Sequence, residues 1–390
     1  MIMPRNRKLS RILCSGICVY FILSIGFHLI LAHDLHAEID DEIDAVIEDE
    51  EDTQEGFFSK DWNWAPVPSI ISNPTLGTGL ALALMYMHPR KEGDATGRSD
   101  VTGVAGLYTS TDSWATGIFH SGSYFKDRFR PSGGLFYADF NLKFYGIGND
   151  SPIRDNPIDY NAKITAFMPK FLFNLGVKNW FAGPAYRFMK FDNAFDLSPI
   201  LPGLPEIRLP TQTAGLGLVV SHDSRDNNMW ASSGNLFEIE LADYGEWLGG
   251  DFDYEKVKAK FVHYMPLVDQ LTLAYRLDGE AIGGDAPFYD LAYLNLRGFP
   301  RGFYSDKVSA TAQVQGNWQF LPRWIALAFG GGGRVSDDIS NIGSETTRWA
   351  GGMGVRYVLN EKQKLSIGVD VTYGDDEFGV YIVMGDGLSN

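Results

Sequence analysis

Three neighbouring residues, His222, Asp223 and Ser224, are of the types that form a hydrolytic triad. A triad needs side chains that converge from separate segments of the chain. Adjacent residues of a strand point instead to opposite faces. We therefore do not expect catalysis at this position.

Two acidic pairs and one glycine run are the other candidates for chemistry. Asp337-Asp338 and Asp375-Asp376 would bind a divalent cation together with loop carbonyls, although solvated turns explain them more simply. Gly330 to Gly333 lack the Lys-Ser/Thr sequence of a phosphate loop, so we interpret them as a bend or close-packing site within a strand. The sequence thus predicts no enzymatic activity, no metal and no cofactor.

The N-terminal segment predicts export. Four bases between Arg5 and Arg11 precede an apolar run over 12–32, and Ala37 offers a small residue for cleavage. We expect a signal peptide over 1–37. An uncleaved inner-membrane anchor is the alternative, because the run approaches the roughly 20 residues that a spanning helix needs.

Residues 38–58 predict a disordered acidic leader. Eleven acids and no base lie between Glu38 and Glu55. The formal net charge of −16 argues against nucleic-acid binding, which needs clustered cations. Both cysteines, Cys14 and Cys18, lie inside the predicted signal, so the exported chain would contain neither a disulfide nor a thiol nucleophile.

From residue 59 to residue 390 the pattern predicts β-strands. Apolar and polar residues alternate over Leu271–Ala281, Lys364–Tyr373 and Leu135–Phe144, which indicates strands with one apolar and one polar face. A soluble sandwich also alternates. Strands of about 10–12 residues favour a membrane barrel, because a tilted strand needs about that length to cross a bilayer. Aromatic and glycine content agree, and we expect apolar faces toward lipid and polar faces toward the lumen.

Sixteen strands are predicted, an even number that suits a bacterial outer-membrane barrel. Their positions are 60–71, 77–87, 100–110, 114–125, 134–144, 160–173, 178–191, 211–222, 234–242, 253–265, 270–281, 307–319, 323–332, 346–358, 364–373 and 377–384. The long connections 145–159, 192–210, 243–252 and 282–306 then share the outer side. Because an open edge in lipid leaves backbone groups unpaired, the antiparallel sheet must close.

Charged residues on three consecutive strands are expected to face the lumen and to pair across it. A merely solvated charged face is the alternative. The residues are Glu238 and Glu240, then Lys256, Lys258 and Lys260, then Asp278 and Glu280.

The connection 282–306 contains Arg297-Gly298-Phe299. It resembles the arginine-glycine-aromatic motif in the sixth outer loop of the outer-membrane protein assembly factor superfamily, which includes BamA/TamA-like barrels and the bacterial surface antigen domain. The turn with Asp223, Arg225 and Asp226 is similar to another family segment, as are 144–149 and 181–187. The resemblance covers roughly residues 60–384. Larger members carry POTRA domains before the barrel, for which the leader is too short.

The resemblance implies an all-β, sixteen-stranded antiparallel barrel whose sixth outer loop folds inward, with Arg297 held by polar groups of the wall. Gly298 would allow the tight turn. Two carboxylates usual in the family are absent here: Asn317-Trp318-Gln319 replaces a glutamate motif, and Gly330 follows Phe329. We therefore expect Asp278 or Glu280 to bind Arg297, with Asn317 and Gln319 as further polar partners. Otherwise the loop is held less firmly.

The family can open between its first and last strands. Here the first strand contains Pro66 and Pro68, which remove two consecutive N–H donors from one edge. If that edge faces the last strand, closure is weak. Alternatively, this strand end lies outside the ladder.

The sequence and the resemblance together predict a monomeric barrel in the outer membrane of a Gram-negative-type bacterium, in contact with lipid and with substrate or assembly proteins. Its expected function is protein insertion or translocation. A passive channel for small polar solutes and a surface-exposed binding protein are the alternatives.

Overall fold

The computed structural model of the protein describes residues 64–73, 75–88, 100–198, 205–227, 230–360, 365–375 and 377–388. The predicted signal peptide (1–37), the predicted acidic leader (38–58) and the first four residues of the first predicted strand lie outside the described residues. No helix in the described ranges is long and apolar enough to cross a membrane.

The described chain is built almost entirely from strands, joined by turns and by two short 3-10 turns at Glu246–Leu248 and Phe288–Asp290. The strands are β1 (Trp64–Asn73), β2 (Gly77–Met87), β3 (Val101–Thr109), β4 (Trp114–Ser121), β5 (Phe129–Phe144), β6 (Ile158–Phe167), β7 (Lys170–Asn174), β8 (Trp180–Phe195), β9 (Ile207–Asp223), β10 (Gly234–Tyr244), β11 (Tyr254–Val268), β12 (Leu271–Gly284), β13 (Ala292–Tyr293), β14 (Ser305–Asp306), β15 (Val308–Leu321), β16 (Trp324–Ser336), β17 (Arg348–Asn360), β18 (Leu365–Gly374) and β19 (Glu377–Met384).

Seventeen of these strands form one antiparallel sheet that closes on itself between β1 and β19. β13 and β14 pair only with each other, within the connection from β12 to β15. The predicted strand 160–173 is divided into β6 and β7, because Pro169 cannot donate to a ladder. Both halves pair with β5 and with β8 and so occupy one place in the ring, which gives sixteen places.

The outer surface is apolar over most of the ring. Alternate residues of β12 and β18 are exposed, as the sequence pattern predicts; they include Leu277 (48% exposed), Val369 (46%) and Val371 (47%). Between them, Arg276, Asp370 and Thr372 are buried and face the interior. Apolar side chains on the outside and polar ones within are what a strand between lipid and water requires.

The interior has two unlike walls. β10–β12 and β15–β18 form a polar wall, whose buried side chains include Glu240, Lys256, Arg276 and Arg356. β2–β8 form an apolar wall, represented by Met85, Phe136, Phe140, Ile164 and Phe191. The expectation of a polar lumen is therefore wrong for about half of the ring.

β5 shows how the prediction failed. The apolar face of Leu135–Phe144 points inward, with Phe140 fully buried, and the alternating polar residues point outward. Outside the barrel, Asp139 accepts a hydrogen bond from Asn161 (2.6 Å) and lies 4.0 Å from Lys163. β5 has sixteen residues, more than the 9–11 that cross a bilayer, so part of it extends beyond the apolar belt.

We call the two ends of the barrel by their connections. The loop end carries the connections 145–157, 196–206, 245–253, 285–307 and 337–347, and the turn end carries the connections 122–128, 175–179, 224–233, 269–270 and 322–323. The four long connections predicted to share one side all lie at the loop end.

We expect the cost of a charge on the outer surface to depend on its depth. Leu277→Lys, in the middle of β12, should destabilise the refolded barrel in lipid vesicles by about 2–4 kcal/mol, whereas Val268→Lys, at the turn end of β11, should cost about 0–1 kcal/mol. Urea titrations followed by heat-modifiable gel migration measure both values. Equal costs would mean that this surface does not contact lipid.

Candidate functional site

The connection 285–307, which we call the inward loop, lies inside the barrel. Five of its buried apolar residues form one cluster with Val335 and Ala350 of the wall. The five are Leu294, Leu296, Phe299, Phe303 and Tyr304. The loop therefore occupies part of the lumen toward the loop end.

Arg297, near the tip of the inward loop, reaches the polar wall. Its Nη1 donates to Asp370 Oδ2 (2.8 Å), and its Nη2 donates to Gln315 Oε1. Its guanidinium carbon lies 3.6 Å from the centroid of the Phe329 ring. Asp370 also accepts two hydrogen bonds from Arg356, at 2.6 and 2.9 Å. One fully buried carboxylate thus joins the loop to the wall through two guanidinium groups.

The predicted partners of Arg297 are placed elsewhere. Asp278 binds Arg276 (2.7 Å), and Glu280 lies 3.2 Å from Lys256. Asn317 accepts from Gln315, and Gln319 donates to the Pro322 carbonyl near the turn end. The expectation that Asp278 or Glu280 binds Arg297 is wrong, because these carboxylates are already engaged by cations of their own neighbourhood.

Two glycines let the inward loop approach the wall. Gly298 has φ 125, a backbone conformation that disfavours other residues, and a Cβ there would lie 2.9 Å from Ala350 Cβ. Its N–H donates to the Tyr381 hydroxyl (3.1 Å). In the run Gly330–Gly333, a Cβ on Gly333 would lie 2.9 Å from Leu294 of the loop. The glycine run is therefore a close-packing site, as the sequence indicated.

The start of the inward loop is held by a buried ion pair. Lys256 Nζ lies 2.6 Å from Asp290 Oδ1, and the Tyr254 hydroxyl donates to Asp290 Oδ2 (2.5 Å). Burial by itself would raise the pKa of the Asp290 carboxyl, but the positive charges of Lys256 and Lys258 outweigh it and keep that pKa below its ordinary value. Asp290 is thus held as a carboxylate.

The C-terminal end of the inward loop is held by contacts of Tyr304 and Phe303. Two guanidinium groups contact the Tyr304 ring, with Arg154 4.2 Å and Arg348 4.7 Å from its centroid. Its hydroxyl donates to Asp375, and burial together with this bond raises the pKa of Tyr304. Arg154 also donates to the Phe303 carbonyl (3.1 Å). The loop is therefore held at its start, tip and end.

The predicted lumen charges are aligned across three strands. The register places Glu238, Lys260 and Asp278 side by side, and one step away Glu240, Lys258 and Glu280. Some of these charged residues also form ion pairs with residues outside the three strands.

Within this array, Glu240 binds Arg187 (2.5 Å) and Glu238 lies 4.0 Å from Lys170. Lys258 is 5% exposed, and its Nζ has no hydrogen-bond partner among the described residues.

The predicted turn motif lies at the turn end. Arg225 binds Asp223 with a two-point contact (2.9 and 2.7 Å). Asp226 accepts from the backbone N–H groups of Ser232 and Ser233. The turn carries Trp230 into the barrel, where it packs in a cluster with Ile325 and Leu327.

The last described residues turn into the lumen. After β19 the chain bends at Gly385 (φ 70) and Gly387 (φ 72), and we call residues 385–388 the tail. Asp386 and Leu388 are buried, at 0% and 1% exposure. The Leu388 carbonyl accepts from Arg276 Nη1 (2.7 Å).

The wall binds the rest of the tail in the same way. The Gly385 carbonyl accepts from Arg356 Nε (2.9 Å), the Asp386 carbonyl from Gln315 (3.1 Å), and the Asp386 carboxylate from the Tyr264 hydroxyl. Arg356 and Gln315 also hold the Asp370–Arg297 contact, so the tail and the inward loop share their anchors.

The seam between β1 and β19 is paired at Ser72 and Ile382 in the described residues. In contrast, β1 and β2 are in register from Trp64↔Tyr86 to Asn73↔Gly77. Continuing the seam register would set Pro68 opposite Asp386 and Pro66 opposite Leu388. Those tail residues lie in the lumen instead.

The direction of each backbone group at the seam follows from neighbouring hydrogen bonds. Gly385 N–H donates to the Ser366 carbonyl of β18, so odd-numbered residues of β19 face β18 and even-numbered ones face β1. Ile382 therefore faces β1. Ser72, its pair, must face β19, together with the other even-numbered residues of β1.

The pairing of β1 with β2 also shows that the even-numbered residues of β1 face β19. The Thr78 carbonyl accepts from Ser110 N–H on the β3 side, so odd-numbered residues of β2 face β1 and pair with odd-numbered residues there. Pro66 and Pro68 are even-numbered. The two missing donors are thus missing from the seam edge, while the ladder to β2 keeps all of its own.

Comparison with known proteins agrees with this geometry. The Omp85 superfamily domain matches residues 120–371, more than half of the chain. The chain belongs to the Omp85 superfamily. No curated protein sequence matches it.

Solved structures show the same fold at low sequence identity. BamA from Haemophilus ducreyi lacking POTRA domains 1-3 matches with a TM-score of 0.58 and 12% identity, covering 83% of this chain and 70% of that one. CdiB from Escherichia coli gives 0.57 and 11%, covering 84% and 64%. CdiB from Acinetobacter baumannii gives 0.52 and 12%, covering 82% and 58%. The chain thus spans less than two thirds of either CdiB chain.

Sequence reasoning missed three features of this Omp85 barrel. Asp370 lies on the polar face of the alternating segment Lys364–Tyr373, but nothing local links it to Arg297, because the sequence does not reveal which strands the loop crosses. Arg356, which is fully buried, was not singled out, although an arginine on the polar face of a strand is a usable signal. The inward tail was also missed, although Gly385 and Gly387 are both typical of a bend.

A double-mutant cycle tests the contact at the loop tip. Arg297→Ala combined with Asp370→Asn should show a coupling of about 1.5–3 kcal/mol in urea unfolding, the range for hydrogen bonds to charged groups. Arg297→Ala with Glu280→Gln, the matched control, should be additive within about 0.5 kcal/mol. The reverse result would restore Glu280 as the partner.

Proposed function

We propose that this Omp85 barrel assists insertion or translocation of proteins at the outer membrane by parting β1 from β19. The observation that carries the proposal is the asymmetry of β1. One of its edges is paired from end to end with β2, and the other is joined to β19 at Ser72 and has lost two donors to Pro66 and Pro68.

The tail makes the parted state less costly. A strand edge that loses its partner in lipid leaves backbone groups unsatisfied, at several kcal/mol each. Pro66 and Pro68 have no N–H to leave unpaired. On the other side, the carbonyls of Asp386 and Leu388, the even-numbered tail residues, already accept hydrogen bonds from the lumen wall. Both sides of the seam thus have fewer groups to satisfy.

The same prolines limit how a client can use β1. A strand laid along this edge finds carbonyl acceptors at positions 66 and 68 but no donors, and proline on an edge discourages stable strand addition. Pairing with a client is then confined to the part of β1 near Ser72 or to β19. Brief pairing followed by release suits an assembly factor.

A passive channel for small solutes is less well supported. The inward loop, the tail and Trp230 all occupy the lumen. No observation in the described residues favours a surface-exposed binding protein.

In the proposed orientation the loop end faces the outside of the cell and the turn end faces the periplasm. Residues 1–37 serve as a signal peptide, residues 38–58 as an acidic leader, and residues 59–390 as a monomeric barrel in contact with lipid and with client or assembly proteins.

Locking the seam should abolish activity. In a background with Cys14 and Cys18 changed to Ser, the pair Ser72→Cys and Ile382→Cys places two cysteines opposite each other in the ladder, at a separation of about 5.5 Å between Cα atoms. Vesicles that contain the oxidised protein should insert a urea-unfolded eight-stranded barrel no faster than empty vesicles. Reduction should restore the rate, as measured by heat-modifiable gel migration.

The matched control joins the same strand to its other neighbour. Val369→Cys with Ile382→Cys ties β19 to β18, which are already paired, so oxidation should leave the rate unchanged. A locked seam that retains full activity would refute the proposal. If wild-type vesicles gave no insertion but a large, steady conductance insensitive to Arg297→Ala, the passive channel would replace it.

A further inference from the structure

A cavity of about 440 Å³ lies between the apolar wall and the inward loop, toward the loop end. Its size falls within the range of about 300–1,000 Å³ typical of small-molecule sites. At about 30 Å³ for each water-sized atom, it has room for roughly fifteen. One side is formed by inward-facing wall residues, among them Phe136, Ala138, Leu142, Ile164, Met189 and Phe191.

The loop side of the cavity is held in place by aromatic contacts. The Tyr289 ring stacks on Phe191 with centroids 3.9 Å apart, and its hydroxyl bonds to Thr211 Oγ1 (2.8 Å). Phe288 packs edge-on against Phe144, at 5.1 Å. Because both sides are already held in place without a ligand, ligand binding would cost little free energy for ordering these residues.

Asn193, at the loop end of β8, also lines this cavity. It is 1% exposed, and neither its Oδ1 nor its Nδ2 has a hydrogen-bond partner in the described residues. A buried polar group left unsatisfied costs about 1–3 kcal/mol. The side chain of Asn161, on the outward face of β6, is by contrast paired with Asp139 and Asn141.

The polar groups of the cavity indicate what a ligand must carry. The Asn193 amide offers one acceptor oxygen and two donor hydrogens, which complement a carboxamide or a carboxyl group. Arg301 contributes a positive charge to the lining, where its guanidinium lies 4.8 Å from the centroid of the Tyr293 ring. Lys143, Asp159, Asp196, Glu206 and Asp290 also line the cavity, and of these Asp290 is bound by Lys256. The six wall residues named above are aliphatic or aromatic.

We infer that this cavity binds one acyl chain that ends in a carboxamide or a carboxyl group, with the chain against the apolar wall and the terminal group on Asn193. The site is independent of the seam. A ligand there would touch both the wall and the loop and would hold the inward loop in place.

Calorimetry on the refolded full chain in an amphipathic polymer tests the inference. The probes are decanamide, decanoate and decyltrimethylammonium, which share a ten-carbon chain. Decanamide or decanoate should bind with one-to-one stoichiometry, and decyltrimethylammonium should not. Tighter binding of decanamide would indicate a neutral acyl amide as the natural ligand, and tighter binding of decanoate a fatty acid.

Two variants act on different parts of the site. Asn193→Leu should weaken binding about tenfold, as the loss of one to two hydrogen bonds implies, and Ala138→Phe should fill the cavity and abolish binding. Asn235→Leu, at the turn end, and Ala182→Phe, on the outer face of β8, are the matched controls and should bind as the wild type does. Equal affinity of Asn193→Leu and wild type would overturn the inference, as would equal binding of all three probes.

A second measurement needs no variant and so does not depend on folding of Ala138→Phe. Decanamide with a diazirine at its chain end, photolysed with the wild-type protein, should label peptides from β5, β6 or β8. Labelling confined to other strands would place the ligand outside the cavity and refute the proposal. Neither result depends on the insertion assay, so this site and the seam succeed or fail separately.

Discussion

The structure depends on one constraint: every backbone N–H and C=O group of a sheet in lipid needs a hydrogen-bond partner within the protein. In the described residues, the ladders of the closed ring meet this need except between β1 and β19, where the sequence lacks some of the groups that would need a partner. Pro66 and Pro68 lack N–H groups on the side of β1 that faces β19, and the tail takes its carbonyls into the lumen. The weak junction of this Omp85 barrel is therefore specified in the sequence of both strands.

The two walls of the interior hold the inward loop through different interactions. The polar wall concentrates charge around Asp370, where Arg297 of the inward loop and Arg356 of the wall meet one carboxylate. Removing either cation would leave the carboxylate less compensated in a setting where unpaired charge is costly. The apolar wall contributes close packing and, where the loop lies against it, the cavity near Asn193. The loop thus contacts charge on one side and hydrocarbon on the other.

The strands were predictable from the sequence because a period of two persists over ten residues or more, as in β12 and β18. Which face turns inward was predictable only where one face carries charge at membrane depth. For β5, whose polar residues point outward in the part of the strand nearest the loop end, the same pattern gave the wrong face. The inward position of Arg297 followed from the family motif. Its partner Asp370 did not, because 73 residues separate the two and only the path of the loop through the lumen brings them together.

The central claim is that β1 is hydrogen-bonded along one edge and largely free along the other. Residue-resolved amide hydrogen exchange of the protein in lipid bicelles measures this directly. The account predicts an alternation along β1: slow exchange at Ser69 and Ile71, which face β2, and markedly faster exchange at Ile70, which faces the seam. Uniformly slow exchange along β1 would show that both edges are paired and would contradict the account.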